Sequence, residues 1–466
     1  MKILHVSAEC YPVAKVGGLA DVVGALPKYQ NKDGILSEVV MPLYDNKFYH
    51  NNSFKSIFDG ILKLGEDEVS YEILTLENNE LGFNIYFVKI PDLLFKDHVY
   101  SHEDTERFLA FQIAVLDWVL TWEEQPTIFH CHDHHTGLVP FMLQESYRYE
   151  SLNKIPVLFT IHNAQYQGWF GYEKLHMIPE FEFSKAGLLD WGSSINPLAA
   201  AIKCSWRVTT VSPSYMEELK LEANGLQDLL AAESDKCVGI LNGIDTEVWD
   251  TATDSFLFKN FTVKTVASGR KANKKLICEK FGLDIKKPLF AFIGRLVHEK
   301  GADLLPYVFD TALEAGDLSI VMLGSGNPEA EYQLDQLKDK YAGTYNTFIG
   351  YDEELSHLIY GGADFLLMPS RVEPCGLNQM YSLRYGLIPI VRSIGGLKDT
   401  IVDIDNDGFG ICHPDTEYHQ ILEAINRAKK LYEDQDRFKK IRKEIMQIDH
   451  SWDASAKEYI NLYNSI

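Results

Sequence analysis

Residues 2–24, KILHVSAECYPVAKVGGLADVVG, join a short apolar run to an amphipathic run through a glycine pair. The first run is typical of a buried strand, and the apolar positions from Leu19 to Leu26 recur at helical spacing. Glycine lets the backbone approach a ligand closely, and amides at a helix start attract anions. The stretch therefore predicts a strand, a phosphate-binding turn and a helix that Pro27 ends or kinks. A glycine-softened helix start with a solvated Lys15 fits these residues equally well.

The rest of the chain repeats this alternation of strand and helix. Short runs rich in valine, isoleucine, phenylalanine or threonine precede helical or turn segments, among them SEVVM, NIYFVKI, TIFHCH, IPVLFTI and RVTTVS, and later PLFAFIGRL, LSIVMLGSG, DFLLMPS and IPIVRS. Nearly continuous apolar strands joined through helices predict parallel sheets covered on both faces. We therefore expect an α/β protein with two tandem Rossmann-like, doubly wound domains.

A break in this pattern suggests the domain limits. Residues 246–285 are polar and weakly periodic, as an inter-domain connection would be. We expect an N-terminal domain at 1–245, a C-terminal domain at 246–440 and a final helical segment at 441–466.

Composition limits the partners of the protein. The 466 residues carry a formal net charge of −23, which argues against nucleic acid because clustered lysine and arginine bind phosphate backbones. The seven cysteines lack a C-x-x-C pair, which favours reduced thiols over a disulfide framework or a zinc site. Neither a signal peptide nor a membrane-spanning apolar run is evident. We expect a cytoplasmic protein without a membrane or nucleic-acid partner.

Polar and glycine-rich stretches follow several of the predicted strands. Ligands of open α/β sheets bind beyond the carboxyl ends of the strands. At those ends lie KVGG, HCHDHH, IHNAQYQG, NGID, GRL and SRVEPCG. Two such edges facing each other would form an inter-domain active-site cleft.

HCHDHH, residues 130–135, raises the question of a metal site. His130 and His132 would share one face of a strand, but neither H-E-x-x-H nor C-x-x-C accompanies them. Polar strand ends lining a cleft explain the run better, and we expect no metal. His162 follows another strand at the same edge, where a structural and a catalytic role are equally compatible with the sequence.

GRLVHEKG, residues 294–301, combines charge with a strand end. It places an arginine fork at Arg295 and a lysine charge at Lys300, a pair suited to a diphosphate. A surface ion pair with Glu299 is the alternative interpretation.

SRVEPCGLNQ, residues 370–379, follows the strand DFLLMP. Gly376 permits close backbone approach, and the Glu373 carboxylate could accept hydrogen bonds from sugar hydroxyls or balance developing positive charge. Cys375 could act as a thiol nucleophile, but no histidine partner is evident, and we interpret it as a packed thiol.

Taken in order, these stretches resemble the bacterial glycogen synthase and plant starch synthase family. The resemblance rests on KVGGLADVVGALPK, HCHDHHTGL, TIHNAQYQG, VTTVSPSY, LNGIDTEVWD, GRLVHEKG, GADFLLMPSRVEPCGLNQMYSLRYG and GGLKDT, between Lys15 and Thr400. It implies the GT-B arrangement of two Rossmann-like domains, with the final helix returning to the N-terminal domain. It also implies retaining transfer of glucose from ADP-glucose to the non-reducing end of glycogen or another α-1,4-glucan primer, without metal or cofactor.

The same resemblance implies roles for individual residues. Arg295 and Lys300 would hold the donor diphosphate. Glu373 would orient glucose hydroxyls, and His162 would lie beside the anomeric carbon. The other positions that it places around the nucleotide sugar and acceptor are Lys15, Gly17, Gly18, Asp21, Asp133, Asn242, Tyr351 (near the base), Cys375, Gly376, Leu377 and Asn378.

Some positions depart from the family pattern, and other activities remain possible. The departures are His134 for tryptophan, Asn378 for threonine, Ala199 for lysine, and the order Ala164–Gln165–Tyr166. Alternatives are a related retaining GT-B enzyme that uses UDP-glucose or another acceptor, and a catalytically silent glucan-binding protein. The silent protein would be expected to lack Glu373, Arg295 or Lys300, which are all present. No pyridoxal phosphate lysine environment of a phosphorylase is identifiable, and GSGNPE lacks the third glycine of a dehydrogenase.

Overall fold

The computed structural model describes residues 1–466. The chain folds into two compact units. The first unit comprises Met1–Asn242 and Trp452–Ile466, and the second comprises Gly243–Ser451. Residues 243–245 and 441–451, which the sequence pattern assigned elsewhere, therefore belong to the second unit. No helix has both the length and the apolar stretch needed to cross a bilayer.

The first unit is built on a nine-stranded sheet in the order β3-β4-β5-β2-β1-β6-β7-β8-β9. Its strands are β1 (Lys2–Val6), β2 (Leu36–Pro42), β3 (Phe54–Leu64), β4 (Asp67–Leu76), β5 (Asn84–Lys89), β6 (Ile128–His132), β7 (Val157–Ile161), β8 (Arg207–Thr210) and β9 (Cys237–Gly239). Its first helices are α1 (Gly18–Lys32), α2 (Lys47–Asn51), α3 (Thr105–Val119), α4 (Val139–Glu145), α5 (Pro197–Cys204), α6 (Pro213–Leu219) and α7 (Gln227–Ala232). In the order of the sheet, each neighbouring pair from β5 through β2, β1, β6, β7 and β8 to β9 is parallel, as the buried apolar runs predict.

The hairpin of β3 and β4 extends this sheet with antiparallel pairs, and the sequence patterns did not predict it. Most residues of β3 are exposed or half-buried, so the strand has no continuous apolar run to reveal it. Its stability comes from pairing with β4, and β4 in turn pairs with β5.

The second unit contains a six-stranded parallel sheet in the order β12-β11-β10-β13-β14-β15. Its strands are β10 (Leu289–Ile293), β11 (Ser319–Gly324), β12 (Tyr345–Ile349), β13 (Phe365–Met368), β14 (Ile388–Arg392) and β15 (Ile411–His413). Its helices are α8 (Val266–Phe281), α9 (Leu305–Glu314), α10 (Pro328–Lys340), α11 (Glu353–Gly362), α12 (Asn378–Tyr385), α13 (Gly395–Thr400), α14 (Tyr418–Glu433) and α15 (Gln435–Ile445).

The last helix, α16 (Trp452–Tyr463), belongs to the first unit. Its apolar face forms one core cluster with α1 and the adjoining strands: Ile3, Val22, Leu26, Tyr29, Trp452, Ala456, Tyr459 and Tyr463 are all buried there. The helix α1 continues past Pro27 to Lys32, so of the two predicted effects of this proline, an end of the helix is wrong. Burial of this face offsets the roughly 3 kcal/mol that an interior proline costs a helix.

Chain order reverses beside the first strand of each sheet, at β2-β1-β6 and at β11-β10-β13. Ligands of doubly wound folds bind at the carboxyl ends of the strands flanking such a reversal. A ligand is therefore expected at the segments that follow β1, β6 and β7 in the first unit, and β10 and β13 in the second.

Candidate active site

The loop between β1 and α1 is held by the buried carboxylate of Glu9. One oxygen of this carboxylate accepts hydrogen bonds from the backbone amides of Val16 and Gly17, over 2.5 and 3.0 Å. The other oxygen accepts from the Tyr100 hydroxyl over 2.5 Å. Burial raises the pKa of Glu9, and these hydrogen bonds oppose that shift. The Glu9 carboxylate thus holds the glycine turn in place, although no sequence pattern indicated this residue.

The turn presents Lys15 and two glycines at the start of α1. The Lys15 ammonium lies 2.7 Å from a carboxylate oxygen of Asp21, and the lysine side chain is half exposed. A Cβ added to Gly17 or Gly18 would meet no protein atom within 4 Å. Packing within the protein therefore does not require glycine here, whereas close approach of a ligand would.

Asp133 and His162 lie together at the carboxyl ends of β6 and β7. A carboxylate oxygen of Asp133 accepts from the backbone amide of His162 over 2.7 Å, and Asp133 adopts a positive φ of 56°. Burial raises the pKa of Asp133 to about 7 and lowers that of His162 to about 3. His162 is therefore a neutral imidazole at neutral pH, able to hydrogen-bond without carrying charge.

Asn242 is the last residue of the first unit, and its side chain is buried. The side-chain carbonyl oxygen of Asn242 has no hydrogen-bond partner in the protein. Buried amide oxygens are normally satisfied, so this one marks a place where a ligand donor would be favourable.

The histidines before Asp133 cluster with His5 of β1. Ring nitrogens of His5, His130 and His132 lie within 4.8 Å of one another, close enough to share a metal ion. They are engaged instead in hydrogen bonds, among them His5 Nδ1 to His132 Nε2 at 3.0 Å and His130 Nε2 to Thr160 at 2.6 Å. Each ring nitrogen of these three histidines has a hydrogen-bond partner within the protein.

In the second unit, Lys300 and Glu373 form an ion pair beyond β10 and β13. The lysine Nζ lies 2.5 Å from Glu373 Oε2, which also accepts from the Ser370 hydroxyl over 2.9 Å. The Glu373 side chain is 7% exposed, whereas that of Lys300 is 26% exposed. Arg295, two residues after the end of β10, is exposed. The structure thus pairs Lys300 with Glu373 and not with Glu299.

Residues 375–378 lead from Glu373 into α12. Gly376 has a positive φ of 72°, and a Cβ there would lie 2.5 Å from the Gln379 side chain, so glycine is required by the turn itself. Cys375 is buried, in agreement with the interpretation as a packed thiol. The Asn378 amide donates to the carbonyl of Ile293 over 2.9 Å, which ties the helix start to β10.

The other positions named by the sequence analysis differ in how far they are exposed. Tyr351, expected near the base, has 84% of its surface exposed. His134, one of the predicted departures from the family pattern, is largely enclosed and has no partner at Nδ1, while its ring centroid lies 3.7 Å from that of His135. Ala199, another predicted departure from the family pattern, is fully buried inside α5.

Each of the two units matches a family of known proteins. Residues 2–232 match the family described as the starch synthase catalytic domain, and residues 273–445 match the family described as glycosyl transferases group 1. The chain is 51% identical to glycogen synthase of Flavobacterium johnsoniae over 469 residues, covering 100% of this chain and 99% of that protein. It is 37% identical to glycogen synthase of Anoxybacillus flavithermus, covering 100% and 98% of the two chains.

Solved structures agree with these relatives. The catalytic domain of starch synthase IV from Arabidopsis thaliana, bound to ADP and acarbose, superposes with a TM-score of 0.90 at 33% identity, covering 100% of this chain and 99% of that one. Sucrose-phosphate synthase from Thermosynechococcus elongatus shares the fold, with a TM-score of 0.63 at 16% identity, covering 100% and 98%.

The two Rossmann-like units and the charged residues at their sheet edges define a glycosyltransferase of the GT-B class. The predictions of fold class and of an enzyme are confirmed. The chain belongs to the glycogen synthase and starch synthase family and is a glucosyltransferase.

Proposed function

We propose that the protein transfers glucose from ADP-glucose to the non-reducing 4-hydroxyl of an α-1,4-glucan such as glycogen, with retention of configuration and without a metal. The observation that carries this proposal is the Lys300–Glu373 pair at the carboxyl edge of the second sheet, 2.5 Å apart. The Arabidopsis relative bound to ADP and acarbose supports the same donor base and a glucan-like acceptor.

The donor diphosphate is assigned to cations of the second unit. Arg295 offers a planar fork and Lys300 a point charge, and both stabilise negative charge as the bond from the anomeric carbon to phosphate breaks. Amides at Cys375, Gly376, Leu377 and Asn378 add neutral donors to phosphate and sugar oxygens. The exposed ring of Tyr351 can stack on the base.

The glucosyl group is assigned to carboxylate and imidazole groups. Glu373 accepts hydrogen bonds from sugar hydroxyls and offsets the positive charge that develops at the anomeric carbon. His162, Asp133 and Asn242 of the first unit provide further polar contacts, and the Lys15–Gly17–Gly18 turn with Asp21 provides a close backbone surface for phosphate and sugar.

The reaction balances without an outside acid or base. The bond between the anomeric carbon and the donor oxygen breaks, and its electron pair stays on the ADP phosphate. The acceptor 4-hydroxyl attacks from the same face, and its proton passes to that phosphate oxygen. Retention follows from attack on the face that the leaving group vacates.

Product analysis tests this reaction. The protein is incubated with ADP-glucose and maltohexaose in EDTA, and proton NMR follows the anomeric signals of the lengthened chain. We expect an α-linked glucose and one ADP per transfer. A β-linked product would overturn retention, and free glucose alone would overturn transfer to a glucan.

The reaction is assigned to the cytoplasm. All seven cysteines are free thiols, and Cys10, Cys131, Cys204, Cys278 and Cys375 are buried. This use of cysteine fits a reducing compartment.

A further inference from the structure

A continuous chain of buried side chains runs from His162 to the C-terminal helix α16. His162 Nε2 lies 3.0 Å from His132 Nδ1, and His132 Nε2 lies 3.0 Å from His5 Nδ1. His5 Nε2 lies 3.0 Å from Gln30 Oε1, and Gln30 Nε2 donates to the Tyr463 hydroxyl over 3.0 Å. All five residues are less than 9% exposed. The chain therefore connects the sugar side of the site with the last helix turn.

The amide of Gln30 determines which side chain donates and which accepts in each hydrogen bond of this series. Its carbonyl oxygen also accepts from the Ser37 hydroxyl over 2.6 Å, so it faces His5 as an acceptor and requires a proton on His5 Nε2. Burial lowers the pKa of His5 to about 4 and that of His132 well below its ordinary value. Each ring is therefore neutral at neutral pH and carries one N–H.

One proton position then dictates the next. Since His5 is protonated on Nε2, its Nδ1 accepts from His132 Nε2. His132 Nδ1 is left as an acceptor, and it takes the hydrogen bond from His162 Nε2. His162 consequently has no proton on Nδ1.

At the C-terminal end of this series, the Tyr463 hydroxyl determines the proton positions of a second branch. Its hydroxyl accepts from Gln30 and lies 2.7 Å from His130 Nδ1, to which it donates. His130 Nε2 then donates to the Thr160 hydroxyl over 2.6 Å, and Thr160 lies 2.6 Å from the Thr209 hydroxyl. The hydrogen bonds of this branch are therefore compatible with the orientation of the Gln30 amide.

We infer that His132 and His5 are positioning residues for glucosyl transfer: with Gln30 and Tyr463 they fix the His162 ring and keep its proton on Nε2, so that Nδ1 accepts a hydrogen bond from a hydroxyl of the bound sugar. The inference rests on the proposed function for the location of that sugar beside His162. The lone pair of His162 Nδ1 places partial negative charge where positive charge develops on the sugar. If the hydrogen bonds ran in the opposite direction, Nδ1 would present an N–H to the sugar instead.

The tautomers are tested first, on the ligand-free protein and independently of any activity. Two-bond proton–nitrogen correlation spectra of protein labelled with ¹⁵N in its histidines assign the protonated nitrogen of each ring. We expect the Nε2–H form for His5, His132 and His162 from pH 6 to 8. Protons on Nδ1, or a charged ring in this chain, would overturn the inference.

Two substitutions of His132 test its effect on the reaction. His132→Asn retains an acceptor near the position of Nδ1, whereas His132→Leu removes it at similar volume. We expect the leucine variant to lose roughly tenfold to hundredfold in kcat, with KM for ADP-glucose within about twofold, because small misplacements of reacting groups are costly. The asparagine variant should recover most of that loss. Equal losses in both variants would overturn a positioning role.

A third variant keeps the test valid if His132→Leu does not fold. Tyr463→Phe removes the hydroxyl that orients Gln30, and we expect the His162 spectrum to show a mixture of tautomers. The control is Tyr149→Phe, which removes another buried hydroxyl of the first unit, bonded to Asp117 over 3.0 Å. An unchanged His162 spectrum in Tyr463→Phe would contradict the inference. If the wild-type protein transfers no glucose, the proposed function fails while the tautomer result stands.

Discussion

The Lys300 ammonium lies 2.5 Å from the carboxylate of Glu373, which is also fixed by a 2.9 Å hydrogen bond from Ser370. This pair joins the residue proposed to hold the donor phosphate to the residue proposed to hold the glucose hydroxyls. Its geometry keeps both charges in place before substrate arrives, which lowers the reorganisation that catalysis requires. Removing one partner leaves the other charge without compensation in a largely enclosed position.

Replacing Lys300 with alanine is expected to lower kcat by roughly 10² to 10³-fold while leaving the fold intact, because the leaving phosphate loses a charge partner. Initial rates and circular dichroism measure the two effects. Lys340→Ala is the matched control, since Lys340 forms a surface ion pair with Asp310 at 2.6 Å. Turnover near that of wild type in Lys300→Ala would remove Lys300 from the phosphate site.

Glu373→Gln is expected to abolish most of the turnover and to leave ADP binding in place. Glutamine keeps the shape and one acceptor oxygen but loses the charge that offsets positive charge on the sugar. Calorimetric titration with ADP and a rate assay separate the two effects. Loss of ADP binding together with activity would mean that Glu373 belongs to the phosphate site.

Glu9→Gln tests the anchoring of the glycine turn. The amide oxygen of glutamine can still accept from Val16 and Gly17, but the new N–H₂ then faces the Tyr100 hydroxyl, whose proton loses its acceptor. An unsatisfied buried donor costs about 1–3 kcal/mol. We expect lower stability in urea unfolding and a higher KM for ADP-glucose. Glu77→Gln, at an exposed position of the same unit, is the control. An unchanged KM would show that the turn does not depend on Glu9.

Asp133 predicts a pH dependence of stability. Its folded pKa of about 7 lies above the ordinary 3.8, so the native state binds the extra proton and stability falls as pH rises from about 4 to 7. Asp133→Asn lacks this titration, and asparagine tolerates the positive φ. The stability of the variant relative to wild type should therefore increase between pH 5 and 8 in urea unfolding. A constant difference across that range would mean that Asp133 keeps an ordinary pKa.

The sequence predicts the parallel sheets and the segments at their edges because buried strands and glycine turns leave local patterns. Gly376 is an example, since its positive φ is a property of its own turn. The contacts that shape the site are not local. Glu9 meets Tyr100 across 91 positions, and His5 meets His132 across 127. No periodicity or motif spacing reports such pairs, although His5 lies in the opening strand and Glu9 follows it.

The β3–β4 hairpin was missed, and the continuation of α1 past Pro27 was left open, for a related reason. Both depend on what packs or pairs with them: β5 for the hairpin and α16 for the helix. Local propensity is overridden where tertiary contacts supply more free energy.

The most direct measurement is the transfer of radiolabelled glucose into glycogen from ADP-glucose, with UDP-glucose in a parallel reaction and EDTA in both. We predict incorporation from ADP-glucose that EDTA does not reduce, and much slower incorporation from UDP-glucose. Incorporation from UDP-glucose alone would contradict the proposed donor. No incorporation from either would contradict glycogen synthesis itself.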